Sequence, residues 1–168
     1  MDIEVREITG TQHVCETFRL RFEVWNAETP LRAHVREIGL ITDEHDVHSR
    51  HWAAFLDCQL VAAARMCIHG TQDETPDGPA FDGMSLPPPV ATLNRLIVHP
   101  SARSRGLATS LDKCRIAAAR AGGAMCVVGT FPPSRVAGLE RNGFRLLGQP
   151  WVPHYAETFV FQAMALIF

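Results

Sequence analysis

The stretch Arg95-Leu96-Ile97-Val98-His99-Pro100-Ser101-Ala102-Arg103-Ser104-Arg105-Gly106-Leu107-Ala108-Thr109-Ser110-Leu111 constrains this chain more than any other. Residues 91–98 read as an apolar strand, and His99-Pro100 stops it. An arginine-rich loop follows. A helix then spans about 106–121, with Leu107, Leu111, Cys114 and Ala118 on its expected buried face, and Gly122-Gly123 ends it. A strand that passes through a short loop into a helix aims the free N–H groups and positive dipole end of that helix at the loop. Gly106 lets a backbone approach an anion with no Cβ in the way. Ala108 keeps the next inward position small, while Arg103 and Arg105 offer charge-assisted contacts. The expected ligand is a pyrophosphate. A plain polar loop before an amphipathic helix would account for the arginines, but not for the strand that ends at the right distance or for the strand that follows.

The rest of the chain supplies a sheet for this unit to join. Residues 3–8 alternate polar and apolar and read as a strand. Thr11 is placed to cap a helix running to about Trp25, with Val14, Phe18 and Phe22 on one face, and Pro30 interrupts it. Residues 51–56 and 60–68 form an expected hairpin turning near Asp57-Cys58-Gln59. Its second arm is apolar on both faces, as a central strand is. Residues 69–90 hold three glycines and five prolines and read as a long loop, a length that marks function or mobility. A strand at 125–129, a short helix from Pro133-Ser134 to Asn142-Gly143, and strands at 144–148 and 157–167 complete the order. Hairpins followed by a βαβ unit predict an α/β (α+β) fold. Its sheet is mixed and mostly antiparallel, with about six or seven strands and helices on both faces.

The 168 residues suit one domain, expected over 1–168 with 69–90 as an insertion. The 46% hydrophobic and 20% charged content is that of a soluble globular protein. No apolar run reaches membrane-spanning length and the N-terminus does not look like a signal peptide, so the expected location is cytoplasmic. A net charge of -2 argues against a nucleic-acid partner. Lys113 is the only lysine, so the cations are arginines, which suit forked contacts with phosphate or carboxylate. Cys15, Cys58, Cys67, Cys114 and Cys126 lack any Cys-x-x-Cys pair and read as buried free thiols. His45, His48 and His51 lie at spacing three but have no companion ligands at metal spacing, so no metal is expected. Asp43, Glu44 and Asp46 read as a solvated acidic loop, and Trp25 as core.

The central stretch resembles the acetyl-CoA-binding motif of the GCN5-related N-acetyltransferases (GNAT), Arg/Gln-x-x-Gly-x-Gly/Ala after a Leu-x-Val-x-Pro strand end. Arg103, Gly106 and Ala108 fill the loop pattern, and Leu96, Val98 and Pro100 the strand pattern. Residues 137–144, Ala-Gly-Leu-Glu-Arg-Asn-Gly-Phe, are similar to the family's Tyr-Glu-Lys-x-Gly-Phe helix end. The element order agrees from residue 1 to about 165. The resemblance implies a GNAT fold and an N-acyltransferase. Its acyl donor would be acetyl-CoA or another acyl-CoA, and its acceptor a primary amine, expected on a small molecule. Backbone groups of Leu96, Ile97 and Val98 would pair with the pantetheine arm. The N–H groups of Arg103, Ser104, Arg105, Gly106, Leu107, Ala108 and Thr109 would hold the pyrophosphate. Attack by the amine would be direct, in a ternary complex.

The sequence departs from the family where many members keep their acid and base. Leu139 stands four residues before the glycine of Gly143-Phe144, at the place of the usual tyrosine. Thr92, Asn94 and Arg95 stand where a glutamate is common. The remaining catalytic candidates are Asn94, to hold a water, and Tyr155, the only tyrosine, as acid; His99 is expected exposed at a strand end. A looser similarity runs through Arg19, Arg21, Trp25, Asp43, Asp46, Arg65 and Asn94-Arg95 to LuxI-type autoinducer synthases and N-acyl amino acid synthases of the same fold. It implies an alternative: an enzyme that takes long acyl chains from acyl carrier protein. A third reading is a catalytically silent acyl-CoA-binding domain. The apolar end of the chain, 159–168, is a candidate homodimer surface.

Overall fold

Alternation in the first strand and small residues in the third set the layers of this fold. The computed structural model describes residues 3–153 and 156–168. Its elements are β1 (Ile3–Ile8), α1 (Thr11–Glu28), α2 (Ala33–Ile38), β2 (Arg50–Leu56), β3 (Gln59–His69), β4 (Val90–Val98), α3 (Leu107–Ala121), β5 (Cys126–Phe131), α4 (Pro133–Glu140), β6 (Arg145–Leu146) and β7 (Gln162–Ile167). Seven strands form one sheet in the order β1-β2-β3-β4-β5-β7-β6. Every neighbouring pair is antiparallel except β4 with β5. The expected mixed sheet with helices on both faces is therefore the observed one.

The alanines of β3 let a helix approach each face. Leu20 and Val24 of α1 pack on Ala63 and Ile97. On the other face Leu107, Leu111 and Ala119 of α3 join Ala62, Ala64, Leu93 and Val127 in the largest apolar cluster. Burying these aliphatic side chains contributes roughly 1.5–3 kcal/mol each before the entropy of ordering is subtracted.

Several local expectations are corrected. Gly10, with no side-chain cap, precedes α1, and Thr11 is already helical. The buried stripe of α1 is Thr17, Leu20, Arg21 and Val24. Val14 and Phe22 instead pack in peripheral clusters with Ile8 and Leu31. The buried stripe of α3 is Leu107, Leu111, Arg115 and Ala119, with Asp112 beside it. Arg115 replaces an apolar residue because it donates to the carbonyls of Arg65 (2.9 Å) and Asn94 (3.2 Å). Those carbonyls lie where the β3–β4 register shifts.

The segment 69–90 is packed rather than an open loop. It makes two short 3-10 turns, Gln72–Glu74 and Gly78–Phe81, and buries Ala80 and Phe81 against Val90, Cys126 and Val128. Of the cysteines only Cys126 is buried; Cys15 and Cys58 are exposed, and all five are free thiols. The last strand is shorter than expected and lies between β5 and β6, so it is not an open edge at Met164 and Ala165. Among the described residues no helix is long and apolar enough to cross a membrane, and no group of acidic, His and Cys side chains is arranged to hold a metal.

Candidate active site

The parallel pair β4 and β5 is joined over only three residue pairs: Val90 with Cys126, Ala91 with Val127 and Thr92 with Val128. Beyond them the strands part. Gly129 stands at the fork, where a Cβ would lie 2.5 Å from the Leu93 carbonyl oxygen, so only glycine fits. On its other edge β4 stays paired to β3, through Ile97 with Ala63 and Val98 with Ala62. A bulge at Arg95, whose φ is +54°, places two β4 residues opposite one of β3 and bends β4 away from β5.

The wedge so opened leads to the start of α3. Gly106 holds φ +77° as the residue before the helix, and nothing lies within 4 Å of where its Cβ would be. The first helical bond runs from the Ser110 N–H to the Gly106 carbonyl at 3.0 Å. The N–H groups just before it have no carbonyl a turn earlier, an arrangement suited to an anion. Arg103 donates from Nε to the Val98 carbonyl at 3.2 Å and pairs with Glu28 at 2.5 Å. A cavity of about 420 Å³ fills the wedge, bordered by Leu96, Ile97, Val98, Gly106 and Ala108 on one side and by Pro132 and Ser134 on the other. Arg103, Ser104 and Leu107 also border it. Arg105 and Thr109 are exposed beside it.

Past the fork a smaller chamber of about 120 Å³ continues inward, sharing Trp25, Leu96, Pro132 and Phe161 with the outer cavity. Trp25 packs against two of the apolar clusters and at the same time walls both cavities. Asn94 borders the inner chamber, and its side-chain oxygen accepts from Arg65 Nε at 2.7 Å. Tyr155 lies outside the described residues. Leu139 is buried in the main cluster and has no polar atom to offer. His99 is half-buried and tied to Ser101 at 2.7 Å.

Under the chamber Asp43 and Asp46 belong to a buried charge cluster and not to a solvated loop. Asp43 and Asp46 build a 3-10 turn at Glu44–Val47, each side chain accepting a backbone N–H in a reciprocal cap. They then meet three buried arginines from different elements. Arg21 of α1 donates to both oxygens of Asp46 at 2.9 and 3.0 Å and lies over the Phe18 ring. Arg65 of β3 reaches Asp43 at 2.5 Å and Asp46 at 2.9 Å. Arg95, turned inward by the bulge, also pairs with Asp43. Burial alone would raise the Asp43 pKa, but hydrogen bonds from Arg65 and the charge of Arg95 outweigh it and hold the carboxyl well below the usual range. Asp46 is lowered in the same way by Arg21 and Arg65, against its burial. Burial pulls Arg21 down to about 10, with the Asp46 charge opposing. A signal for the cluster existed in the sequence. Arginines inside apolar runs, such as Leu-Arg21-Phe and Ala-Arg65-Met, need buried partners, and Asp43-x-x-Asp46 is a turn-capping pattern.

Comparison with known proteins agrees with this geometry. The Acetyltransferase (GNAT) family profile matches residues 11–141. No curated protein matches. Among solved structures the fold is similar to FeeM, an N-acyl amino acid synthase from uncultured soil microbes (TM-score 0.74, 14% identity, covering 99% of this chain and 91% of that one). It is similar to BjaI, a CoA-dependent acyl-homoserine lactone synthase (TM-score 0.71, 17%, 99% and 83%). An acyl-CoA N-acyltransferase from Pseudomonas aeruginosa is a further likeness (TM-score 0.66, 18%, 98% of both). At these identities the likenesses establish the fold. The family match covers most of the chain and shows that this chain belongs to the GNAT acetyltransferase family and is an N-acyltransferase.

Proposed function

We propose that this enzyme moves an acetyl or other acyl group from acyl-CoA to a primary amine on a small molecule, by direct attack in a ternary complex. The observation that carries the proposal is the continuous path from the start of α3, along the parted edge of β4, to the inner chamber. In this reading the N–H groups of residues 104–109 hold the pyrophosphate, since the Arg103 N–H is given to the Pro100 carbonyl at 3.3 Å. The free edge of β4 at Leu96, Ile97 and Val98 pairs with the pantetheine amides and polarises the thioester carbonyl. The thioester then stands at the fork, and the amine meets it from the chamber. Rate enhancement comes mainly from alignment and from stabilising the developing oxyanion. Asn94 acts with one lone pair of its oxygen engaged by Arg65, which leaves the second lone pair and the amide NH2 for a water or the substrate. Titration calorimetry with acetyl-CoA tests the reading. Binding at micromolar levels is expected, and none at millimolar levels would overturn it.

One observation favours a second reading, transfer of a long acyl chain from acyl carrier protein to an amino acid or lactone precursor. The residues behind the looser similarity, Arg21, Asp43, Asp46, Arg65 and Arg95, come together in one cluster, and Trp25 walls the chamber above it. Mass spectrometry of organic extracts from an expressing culture decides between them. Long-chain N-acyl products support the second reading, and their absence beside CoA-dependent turnover removes it. A silent binding domain is excluded by any amine-dependent release of thiol from acetyl-CoA.

A further inference from the structure

The inner chamber holds a carboxylate that neither the motif nor the usual catalytic positions of the fold point to. Asp77 comes from the packed 69–90 segment and borders the chamber beside Asn94, Arg95 and Thr130. Among the described residues lining that chamber it is the one acidic side chain. It occupies the position before the Gly78–Phe81 turn, where an aspartate ordinarily caps the backbone, yet its side chain makes no capping bond. It turns instead to the sheet, where Oδ2 accepts from Thr130 Oγ1 at 2.8 Å. Thr130 follows Gly129, so Asp77 stands just past the fork of β4 and β5.

We propose that Asp77 receives the proton of the acceptor ammonium and so delivers a neutral amine to the thioester. The inference rests on the acyl-transfer reading above. In the step, the ammonium N–H bond breaks and its proton goes to the Asp77 carboxylate. The freed lone pair attacks the thioester carbon, a C–N bond forms and the C–S bond breaks. The nitrogen gives its second proton to the departing thiolate, and Asp77 returns its own to water once the amide leaves. Atoms and charge balance as ammonium plus thioester giving amide, thiol and one proton.

The surroundings favour this direction. Burial raises the Asp77 pKa, with the Thr130 hydrogen bond and the charges of Arg95 and Arg65 opposing. A carboxylate with a raised pKa is a better proton acceptor. The charged groups facing it are Arg65 from β3, Arg95 from β4 and Arg135 from α4. Arg135 shares the single carboxylate of Asp112 with Arg115, so this pair also carries one positive charge in excess. The three arginines 21, 65 and 95 share only Asp43 and Asp46, which leaves one positive charge in excess beneath the chamber. That excess disfavours the ammonium and favours the neutral amine once the proton has moved. Trp25, Leu93, Phe131 and Phe161 make the remaining wall apolar, so the chamber suits a compact primary amine with an apolar body.

The test uses the full chain with acetyl-CoA as donor and benzylamine as probe, comparing wild type, Asp77→Asn and Asp77→Glu. Asp77→Asn is expected to keep its acetyl-CoA affinity within about twofold, to lose about 100-fold in kcat and to lose the acidic limb of the kcat–pH profile; Asp77→Glu recovers part of both. Asp77→Asn within about threefold of wild type, with the limb intact, would overturn the role and leave acyl transfer standing. If wild type binds acetyl-CoA but turns over no benzylamine, binding decides. Under NMR, the loaded protein must prefer benzylamine to benzyl alcohol, and Asp77→Asn must abolish the preference; equal or absent binding in wild type overturns the proposal. Loss of acetyl-CoA binding in the wild type itself would instead overturn the acyl-transfer reading.

Discussion

The loop before α3 and the arginine–aspartate cluster sit at opposite ends of one path and are built by opposite means. The loop is contiguous in sequence and exposed, and its proposed role rests on backbone N–H groups and the conformation of Gly106. The cluster gathers side chains from α1, the 43–46 turn, β3 and β4, and is almost wholly dry. A backbone-built site tolerates many side chains and depends on a few conformational positions. A side-chain-built site depends on every member, because each buried charge is compensated only by the others. The loop should therefore respond to mutation in affinity, and the cluster in stability.

The largest expected effect tests the cluster. Asp43→Ala leaves Arg65 and Arg95 without their shared carboxylate and should cost about 3–5 kcal/mol of unfolding free energy, read by urea or thermal denaturation. A loss under about 1 kcal/mol would mean that water or a rearranged Asp46 replaces it, and the contrast between the regions would fail. Acid should act similarly. The folded pKa of Asp43 and that of Asp46 are both depressed. Their stabilisation is thus fully present above the unfolded carboxylate value, about 3.9, and is lost as pH falls through the folded values. Melting temperature should hold from pH 7 to about 5 and fall steeply below pH 4 in the wild type. Asp43→Asn should start less stable and show a shallower fall.

The same contrast explains what the sequence disclosed. The loop, β4 and α3 were legible as structure because strand, stop, glycine and helix follow one another within 17 residues. The sheet was legible through the apolar run of β3 and the alternation of β1. Asp43 and Asp46 misled because an Asp-Glu-His-Asp run looks hydrated when its partners, Arg21, Arg65 and Arg95, lie far away in sequence. Arg115 misled for a related reason: its place on α3 depends on two carbonyls exposed by a register shift in another element. The bulge at Arg95 has no glycine to announce it, since its positive φ falls on an arginine. Asp77 lay within a segment that composition described only as loop.

The loop is tested next. Gly106→Asp places a carboxylate where the pyrophosphate is proposed to sit. Aspartate tolerates a left-handed backbone better than most residues, and the position is open, so the fold should survive. Acetyl-CoA affinity should fall by at least about 2 kcal/mol, roughly 30-fold, while the melting temperature moves little. Unchanged affinity would show that the anion lies elsewhere.

The smallest effect refines the comparison, because Glu28 places one side-chain interaction inside the backbone-built site. Its carboxylate borders the outer cavity and pairs with Arg103, with both side chains roughly 40% exposed. Exposed pairs contribute under about 1 kcal/mol, so Glu28 stabilises the fold little. Its charge nevertheless opposes the incoming phosphates and competes with them for Arg103. Glu28→Gln should tighten acetyl-CoA binding by up to about fivefold at low salt, with the gain shrinking as ionic strength rises, measured by calorimetry. Weaker binding would mean that Glu28 chiefly holds Arg103 in position, and that the loop depends on side-chain order as the cluster does.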